Sequence, residues 1–223
     1  MNISIYPIEV SQLKMKNFCY LLLDHDTSDA VLIDPAWEMD KIEAEMLLHG
    51  VNLKAILITH HHFDHVHLAN NFAQEYNIAV YISKTEADYY DFSCQNLVEV
   101  TVQNAIEIGS INVVPLFTPG HTKGSICYWI ANALFTGDTL FAEGCGLCVG
   151  RGADPGDMFD SLSFLKIVLP TNTKIYPGHS YGHYPGKDFL FIKQNNIYLS
   201  FSEKEKFIDY RMRANQTGLF SFK

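Results

Sequence analysis

The sequence predicts an α/β fold in which two sheets are covered by helices. Three observations predict it: short strand-like runs recur along the chain, amphipathic helical segments interrupt them, and the last third changes to helical spacing. Strands, then a helix, then strands again are typical of a layered arrangement. With 223 residues, 48% of them hydrophobic, the chain can bury one sizeable core, so we expect a single domain over residues 1–223.

The first half of the chain alternates strands with helices. Strand-like runs occupy residues 3–8, 18–23, 30–34 and 55–59. Residues 39–50 have helical apolar spacing, with Asp40 as a candidate N-cap and Gly50 just beyond the end. A second helix is expected over VHLANNFAQEY, after a histidine-rich loop.

The second half returns to strands before it ends in helices. Further strand-like runs cover residues 78–82, 111–117, 125–130 and 133–136. A helix is expected to begin near Pro155, because proline suits the first helical position. The segment from about 186 to 223 has helical spacing, and we expect it to pack on the core as terminal helices.

A cluster of histidines directly follows the strand that ends at residue 59. The stretch HHHFDH places four histidines and one aspartate within six positions. His60 and His62 lie two apart on a loop and can both turn toward one ion, whereas Asp64 and His65 face the opposite way. Imidazole and carboxylate are ligands of zinc, iron or manganese. Two adjacent metal sites are therefore implied.

Three later loops can complete these sites. Each places a histidine or an aspartate beside glycine just after a strand-like run: His121 in TPGHT, Asp138 in FTGDT and His179 in YPGHS. Glycine lets the backbone turn sharply there and brings the side chain to the edge of the sheet.

Charge and cysteine content exclude several functions. A net charge of -9 argues against a nucleic-acid surface, which needs clustered Lys and Arg. We find no secretory signal and no apolar run near the roughly 20 residues of a membrane helix, so we expect a cytoplasmic protein without a membrane partner.

The five cysteines are expected to be reduced thiols. Cys145 and Cys148 form CGLC, half a zinc site or a redox pair, but no second pair exists and the motif lies among glycines.

The order H-x-H-x-D-H, G-H, G-D, G-H resembles the metallo-β-lactamase superfamily over nearly the whole chain. The resemblance implies an αββα sandwich with two divalent ions, zinc first and iron or manganese as alternatives, at the edge between its sheets. It places His60, His62 and His121 on the first ion, Asp64, His65 and His179 on the second, and Asp138 between them. Asp64 and Asp138 are the two carboxylates to which we assign catalytic as well as ligand roles.

Such a site favours hydrolysis of a thioester. Water bound between two such ions has its pKa lowered to about 7, so hydroxide is available at neutral pH. A thiolate with a pKa near 8.5 leaves without help, whereas an amine needs a proton donor. Since the motif loops contain no evident general acid, thioester hydrolysis is favoured over lactam opening.

Two branches of the superfamily share further motifs with the chain. THHHFDH, FTGDTLF, GCG and PGHSY resemble glyoxalase II, including Tyr181 at its glutathione-contacting tyrosine, but Leu147 stands where that branch has a basic residue. IDPAWE, FTGDTLFAEGCGLC and RMRANQTGLFSFK resemble the zinc-dependent hydrolases associated with trans-acyltransferase polyketide synthases. That resemblance implies an acyl chain on the phosphopantetheine arm of an acyl carrier protein as substrate. Leu147, Tyr181 and Arg211 are the candidate substrate contacts.

A carrier protein would need a basic surface on this acidic chain. The candidate surface is the C-terminal run with Lys204, Lys206, Arg211 and Arg213, and the alternative is that these residues form an ordinary solvated helix face.

Several rival functions use related motifs. Glyoxalase II, which hydrolyses S-lactoylglutathione, and a persulfide dioxygenase with a single iron are the nearest. Phosphodiesterases that process tRNA need an RNA surface, which the net charge of -9 disfavours. The flavodiiron branch has a glutamate at the position of His62. A non-catalytic carrier-binding protein is also conceivable, but all seven expected ligands are present, which favours an enzyme.

Overall fold

Twelve strands of the described chain form two sheets of six strands each. The computed structural model describes residues 2–101, 104–214, 216–219 and 222. Residues 1, 102, 103, 215, 220, 221 and 223 lie outside this description, and with them parts of the predicted domain 1–223 and of the C-terminal segment 186–223.

The first sheet has the order β1-β2-β3-β4-β5-β6. Its strands are Ile3–Gln12, Met15–Asp24, Asp29–Ile33, Asn52–Leu57, Ala79–Ser83 and Leu97–Val100. The first three strands pair antiparallel and form the hairpins that the polar breaks indicate. The strands from β3 to β6 pair parallel, with helices in the connections between β3, β4, β5 and β6.

The second sheet has the order β12-β11-β10-β9-β8-β7. Its strands are Ile106–Ile108, Ile111–Phe117, Ile126–Ile130, Ala133–Gly137, Lys174–Pro177 and Lys187–Asp188. Only β10 and β11 pair parallel, and the long connection between them contains a helix.

Seven α-helices and one 3₁₀ turn complete the described chain. The helices α1 to α7 are Met39–His49, Phe63–Val66, Ala69–Tyr76, Lys84–Tyr90, Pro155–Val168, Phe189–Asn195 and Lys204–Arg211, and the 3₁₀ turn is Ile197–Leu199. The helix expected after the histidine loop is therefore two helices, α2 and α3. None of the described helices is long and apolar enough to cross a membrane.

The helix ends test the predicted caps. Asp40 is not the N-cap of α1 but lies in its first turn, and the preceding Glu38 accepts a hydrogen bond from the backbone N–H of Ser11 instead (2.7 Å). Gly50 ends α1 with φ of +59°, as predicted. Pro155 begins α5, and the side chain of Asp154 accepts hydrogen bonds from two backbone N–H groups of its first turn.

Three apolar layers hold the fold together. One lies between the first sheet and helices α1 and α3, a second between the two sheets, and a third between the second sheet and helices α5, α6 and α7. Strand β2 shows the alternation directly, because Leu21 and Leu23 face the helices whereas Tyr20 and Leu22 face the other sheet. The order helix, sheet, sheet, helix confirms the predicted αββα sandwich.

Candidate metal centre

The predicted ligands lie on loops that follow four strands of the two sheets. The loop after β4 carries the HHHFDH stretch, and those after β8, β10 and β11 carry His121, Asp138 and His179. Glycines at two positions let these loops approach one another closely, because a side chain there would collide with the neighbouring loop. A Cβ on Gly137 would lie 2.3 Å from Thr59 Oγ1, and one on Gly178 would lie 2.5 Å from His65 Cε1 and 2.6 Å from Asp138 Oδ1.

The structure brings all seven predicted ligands together in two groups that share a carboxylate. Within each group the potential ligand atoms lie within 4.8 Å of one another; the first group is His60, His62 and His121, and the second is Asp64, His65 and His179. Asp138 lies between them: Oδ2 is 3.5 Å from His121 Nε2 and 3.6 Å from His179 Nε2, while Oδ1 is 3.4 Å from His65 Nε2.

Several buried polar atoms at this point lack a hydrogen-bond partner within the described residues. They are His60 Nε2, His65 Nε2 and Asp138 Oδ1. An unpaired buried polar group is costly, so three of them converging on one place call for an explanation. One cation in each group would satisfy all three, and histidine and aspartate are the side chains that zinc, iron and manganese prefer. The residues thus fit a pair of metal ions.

The imidazoles are oriented from behind by partners that sequence reasoning missed. The Nδ1 atom of His65 lies 2.8 Å from Asp34 Oδ2, and Nδ1 of His179 lies 2.7 Å from the backbone carbonyl of Lys16. Asp34 also accepts hydrogen bonds from the backbone N–H and the hydroxyl of Thr59. Such partners leave Nε2 free for a metal and strengthen the ligand. The available signal for Asp34 was its position at the end of a predicted strand.

The first group holds its imidazoles in the neutral form. Burial lowers the pKa of His60 well below its ordinary value. Burial and the neighbouring His121 lower the pKa of His62 to about 4. A neutral imidazole has the lone pair that a metal needs, so these side chains are ready to bind without losing a proton.

The second group is more strongly charged. Burial alone would lower the pKa of His65, but the carboxylates of Asp64 and Asp34 raise it well above its ordinary value. Burial alone would raise the pKa of Asp138, yet the imidazoles of His179 and His65 hold it well below its usual range. Ionised carboxylates at the centre of the cluster favour a divalent cation.

The remaining histidines and cysteines lie outside both groups. His61 turns away from them, with Nδ1 2.7 Å from Glu86 Oε1. His67 accepts a hydrogen bond from the backbone N–H of Trp37. Cys145 and Cys148 are buried free thiols, and burial raises the pKa of Cys148 to about 11, so a thiolate with redox or ligand chemistry is not favoured at neutral pH.

A cavity of about 440 Å³ opens onto the metal-ligand side chains. We call the predicted ligands that line it the floor: His62, Asp64, His121, Asp138 and His179. We call five other lining residues the wall: Phe141, Leu147, Tyr181, Arg211 and Phe222. All three candidate substrate contacts are therefore in the wall.

The predicted basic docking surface does not form. Arg211 is only 3% exposed and faces inward, where Nε donates to the carbonyl of Gly146 at 3.0 Å. Lys204 pairs with Asp160 at 2.6 Å, and Lys206 pairs with Glu203 at 2.6 Å. Lys204 and Lys206 are two positions apart on α7 and therefore lie on different faces of the helix. The prediction of a four-cation surface is wrong, and the alternative of an ordinary solvated face describes both lysines.

The C-terminal residues cover the second group. The Tyr181 hydroxyl donates to the carbonyl of Leu219 at 3.1 Å. The ring of Phe222 stacks on that of His179, with centroids 4.3 Å apart and planes inclined by 20°. Sequence reasoning missed this contact, because no pattern in the segment identifies a residue that stacks on a ligand.

Comparisons with known proteins agree with this geometry. The family model described as the metallo-beta-lactamase superfamily matches residues 15–179. The probable polyketide biosynthesis zinc-dependent hydrolase BaeB of Bacillus velezensis is 42% identical over 98% of this chain and 99% of its own. A probable hydroxyacylglutathione hydrolase of Schizosaccharomyces pombe is 35% identical over 81% of this chain and 70% of its own. The crystal structure of ETHE1 from Myxococcus xanthus superposes with a TM-score of 0.81 at 27% identity, covering 95% of this chain and 92% of that one.

Proposed function

The chain belongs to the metallo-β-lactamase superfamily, and on that premise we propose that it hydrolyses acyl thioesters at a pair of metal ions. The observation that carries the proposal is the convergence of two ligand groups on Asp138 at the floor of a largely apolar cavity. The name of the Bacillus velezensis relative, a probable zinc-dependent hydrolase, also supports metal-dependent hydrolysis. The thioester and its carrier are the further steps that we propose.

We propose that all seven side chains are ligands. His60, His62 and His121 would hold the first ion, Asp64, His65 and His179 the second, and Asp138 both. When bound, such a pair of ions lowers the pKa of a shared water to about 7 and so supplies hydroxide at neutral pH. Asp64 and Asp138 contribute the negative charge that keeps the ions in place, which is the catalytic role we give them.

The wall residues offer no strong acid, which favours a substrate whose leaving group departs without being protonated. Tyr181 has the one hydroxyl among the five wall residues, and it already donates to the carbonyl of Leu219; Glu143, Tyr198 and Tyr210 line other parts of the cavity. Burial, followed by the charge of Asp138, raises the pKa of Tyr181 well above its ordinary value, so it is a weak acid. A thiolate departs without protonation, whereas an amine does not. Thioester cleavage therefore suits the described wall better than lactam cleavage.

The wall also favours an arm with little charge near its thiol. Leu147 presents an apolar side chain to the cavity, which suits phosphopantetheine better than glutathione with its carboxylates. Arg211 is buried and bonded to the neutral oxygens of Gly146, Tyr198 and Gln216, with no carboxylate partner among the described residues. We propose that Leu147, Tyr181 and Arg211 contact the arm of the substrate.

We further propose that the arm belongs to an acyl carrier protein of polyketide biosynthesis and that the reaction takes place in the cytoplasm. The name of the Bacillus velezensis relative supports the pathway. The cavity supports such an arm, because it opens onto the proposed metal ligands and its other lining residues are largely apolar.

Two alternatives each have an observation in their favour. Tyr181 and the likeness to the Schizosaccharomyces pombe protein favour glyoxalase II. The superposition with ETHE1 at 27% identity favours a persulfide dioxygenase with one iron. These alternatives differ from our proposal in the thiol carrier and in the number and kind of metal.

A thiol-release assay tests the proposal. Purified protein is analysed for metal and then compared on an acyl carrier protein thioester, an acyl-N-acetylcysteamine thioester and S-lactoylglutathione. We expect about two metal ions per chain and a preference for the pantetheine-like thioesters. Efficient turnover of S-lactoylglutathione alone would establish glyoxalase II instead. One iron, no thiol release and oxygen uptake on glutathione persulfide would establish the dioxygenase.

A further inference from the structure

A glutamate outside the ligand set is buried completely beside the metal centre. Glu86, in the first turn of α4, has 0% exposure. Its carboxylate has four hydrogen-bond contacts: the backbone N–H of His61 (2.9 Å), His61 Nδ1 (2.7 Å), the hydroxyl of Thr122 (2.9 Å) and the backbone N–H of Gly124 (2.8 Å). A buried carboxylate is tolerated only when it is bonded in this way. No lysine or arginine is among its partners.

The two oxygens of Glu86 serve different loops. Oε1 accepts from His61, which lies between His60 and His62 in the loop after β4. Oε2 accepts from Thr122 and Gly124, which follow His121 in the loop after β8. One carboxylate thus links the loop that carries two residues of the first group to the loop that carries the third.

Packing leaves little freedom for either loop to shift. A Cβ on Gly124 would lie 2.2 Å from the backbone nitrogen of Glu86, so this loop touches the start of α4 directly. The His61 ring stacks on Tyr90 with centroids 3.6 Å apart and planes inclined by 13°. The Tyr90 hydroxyl also accepts from the backbone N–H of Lys123 at 3.0 Å, which adds a second tie between the two loops.

We propose that Glu86 is a positioning residue that fixes the spacing of His62 and His121 and thereby sets the affinity of the first metal site. The inference rests on the ligand assignment proposed above. The second group has its own supports, since Asp34 holds His65 and the Lys16 carbonyl holds His179. The effect of Glu86 is therefore confined to one of the two ions.

The test compares Glu86→Gln with Asp29→Asn. Asp29 is the control because it is also a buried carboxylate, bonded to the backbone N–H of Ser110 (3.1 Å) and to Asn52 (3.2 Å) and paired with Lys54 (3.3 Å), but none of these partners lies in a ligand loop. Metal-stripped protein is titrated with Co²⁺, the absorbance of the bound ion is followed, and native mass spectrometry counts the ions. Thermal unfolding of each metal-free variant is measured alongside.

We expect Glu86→Gln to weaken one of the two Co²⁺ binding steps by about 10–100-fold and to change its absorbance, as loss of a supporting contact does at metal sites. The other step is expected to stay within about threefold. Asp29→Asn should lower the unfolding temperature but leave both steps unchanged. Thr122→Val, which removes a single contact of Glu86, should weaken the same step by a smaller factor and serves if Glu86→Gln does not fold.

Two results would overturn the inference. If Glu86→Gln and Thr122→Val lower stability but leave both binding steps intact, Glu86 is structural only. If both steps weaken equally, its action is not confined to the first site. His62→Ala distinguishes these results from a failure of the ligand assignment, because that variant must lose the same step if the assignment holds.

Discussion

The floor and the wall of the cavity are built in different ways. The floor comes from loops that directly follow strands. The backbone carbonyl of Lys16 supports its His179 from behind, and Asp34 supports the adjacent ligand His65. Four wall residues, Phe141, Leu147, Tyr181 and Phe222, come from irregular segments, and the fifth, Arg211, is the last residue of α7. Under the proposed function, the chemistry depends on loops anchored to strands, whereas the choice of substrate depends on segments that tolerate change.

The largest effect is expected at the floor. His62→Ala removes one proposed ligand of the first ion while leaving the strands beneath it unchanged. We expect fewer than two ions per chain and a fall in thioester hydrolysis of at least about 100-fold, more than the loss of a supporting partner gives. Metal analysis and thiol release measure both. His25→Ala is the control, because that exposed ring hydrogen-bonds to Ser4 and lies in neither ligand group. Full activity of the floor variant would refute its role as a ligand.

The next effect comes from behind the floor. Asp34→Asn keeps the shape of the side chain but weakens its contacts with His65 and Thr59. Because the His65 imidazole is then less firmly oriented, metal affinity should fall by about 10–100-fold. Competition with a chelator measures the affinity, and the exposed Asp26→Asn is the control. An unchanged affinity would mean that the proposed ligand His65 needs no support from Asp34.

A smaller and different effect is expected at the wall. Leu147→Lys introduces a cation where we propose an uncharged arm, while the Leu147 carbonyl that contacts His121 Nδ1 is retained. We expect the ratio of kcat/KM for S-lactoylglutathione over the acyl-N-acetylcysteamine thioester to rise by about fivefold, with metal content unchanged. Leu190→Lys, an exposed position on α6, is the control. If metal content falls as well, the wall and the floor are not separable in the way we propose.

The smallest effect is expected outside the cavity. Lys204→Ala breaks the ion pair with Asp160, in which the lysine side chain is 39% exposed and the aspartate side chain 62% exposed. Exposed pairs contribute little to stability, and this one does not line the cavity. We therefore expect no measurable change in kcat/KM for either the small or the carrier-borne thioester. A loss seen only with the carrier-borne thioester would restore α7 as a docking surface.

Much of the fold could be predicted because its strands are apolar and its breaks are polar. The central strands β4 and β10 each contain a short apolar run, residues 55–57 in β4 and 133–135 in β10. The short edge strands could not be predicted, since β12 has only the two half-buried residues Lys187 and Asp188. Helix α4, KTEADYY, was missed because its buried polar residue, Glu86, gives no apolar period.

The floor could be predicted further than the wall for a chemical reason. Metal ligands come from a few residue types at strict spacings, so His60, His62 and their partners could be named as candidates from the sequence alone. Their supports could not, because the contact of His179 with Lys16 uses a backbone carbonyl that any residue provides. The Arg211 side chain points inward because it bonds to Gly146 and Tyr198, which are distant in sequence. No local sequence pattern predicts that orientation.

Each proposed ion takes ligands from both sheets. For the first ion, the loop after β4 of the first sheet would provide His60 and His62, and the loop after β8 of the second sheet would provide His121. For the second ion, Asp64 and His65 follow the first sheet and His179 follows the second. If the gene were divided between residues 100 and 104, neither polypeptide would contain a full ligand set. The two fragments would then be inactive apart, and any activity regained on mixing them with metal would report their reassembly around the ions.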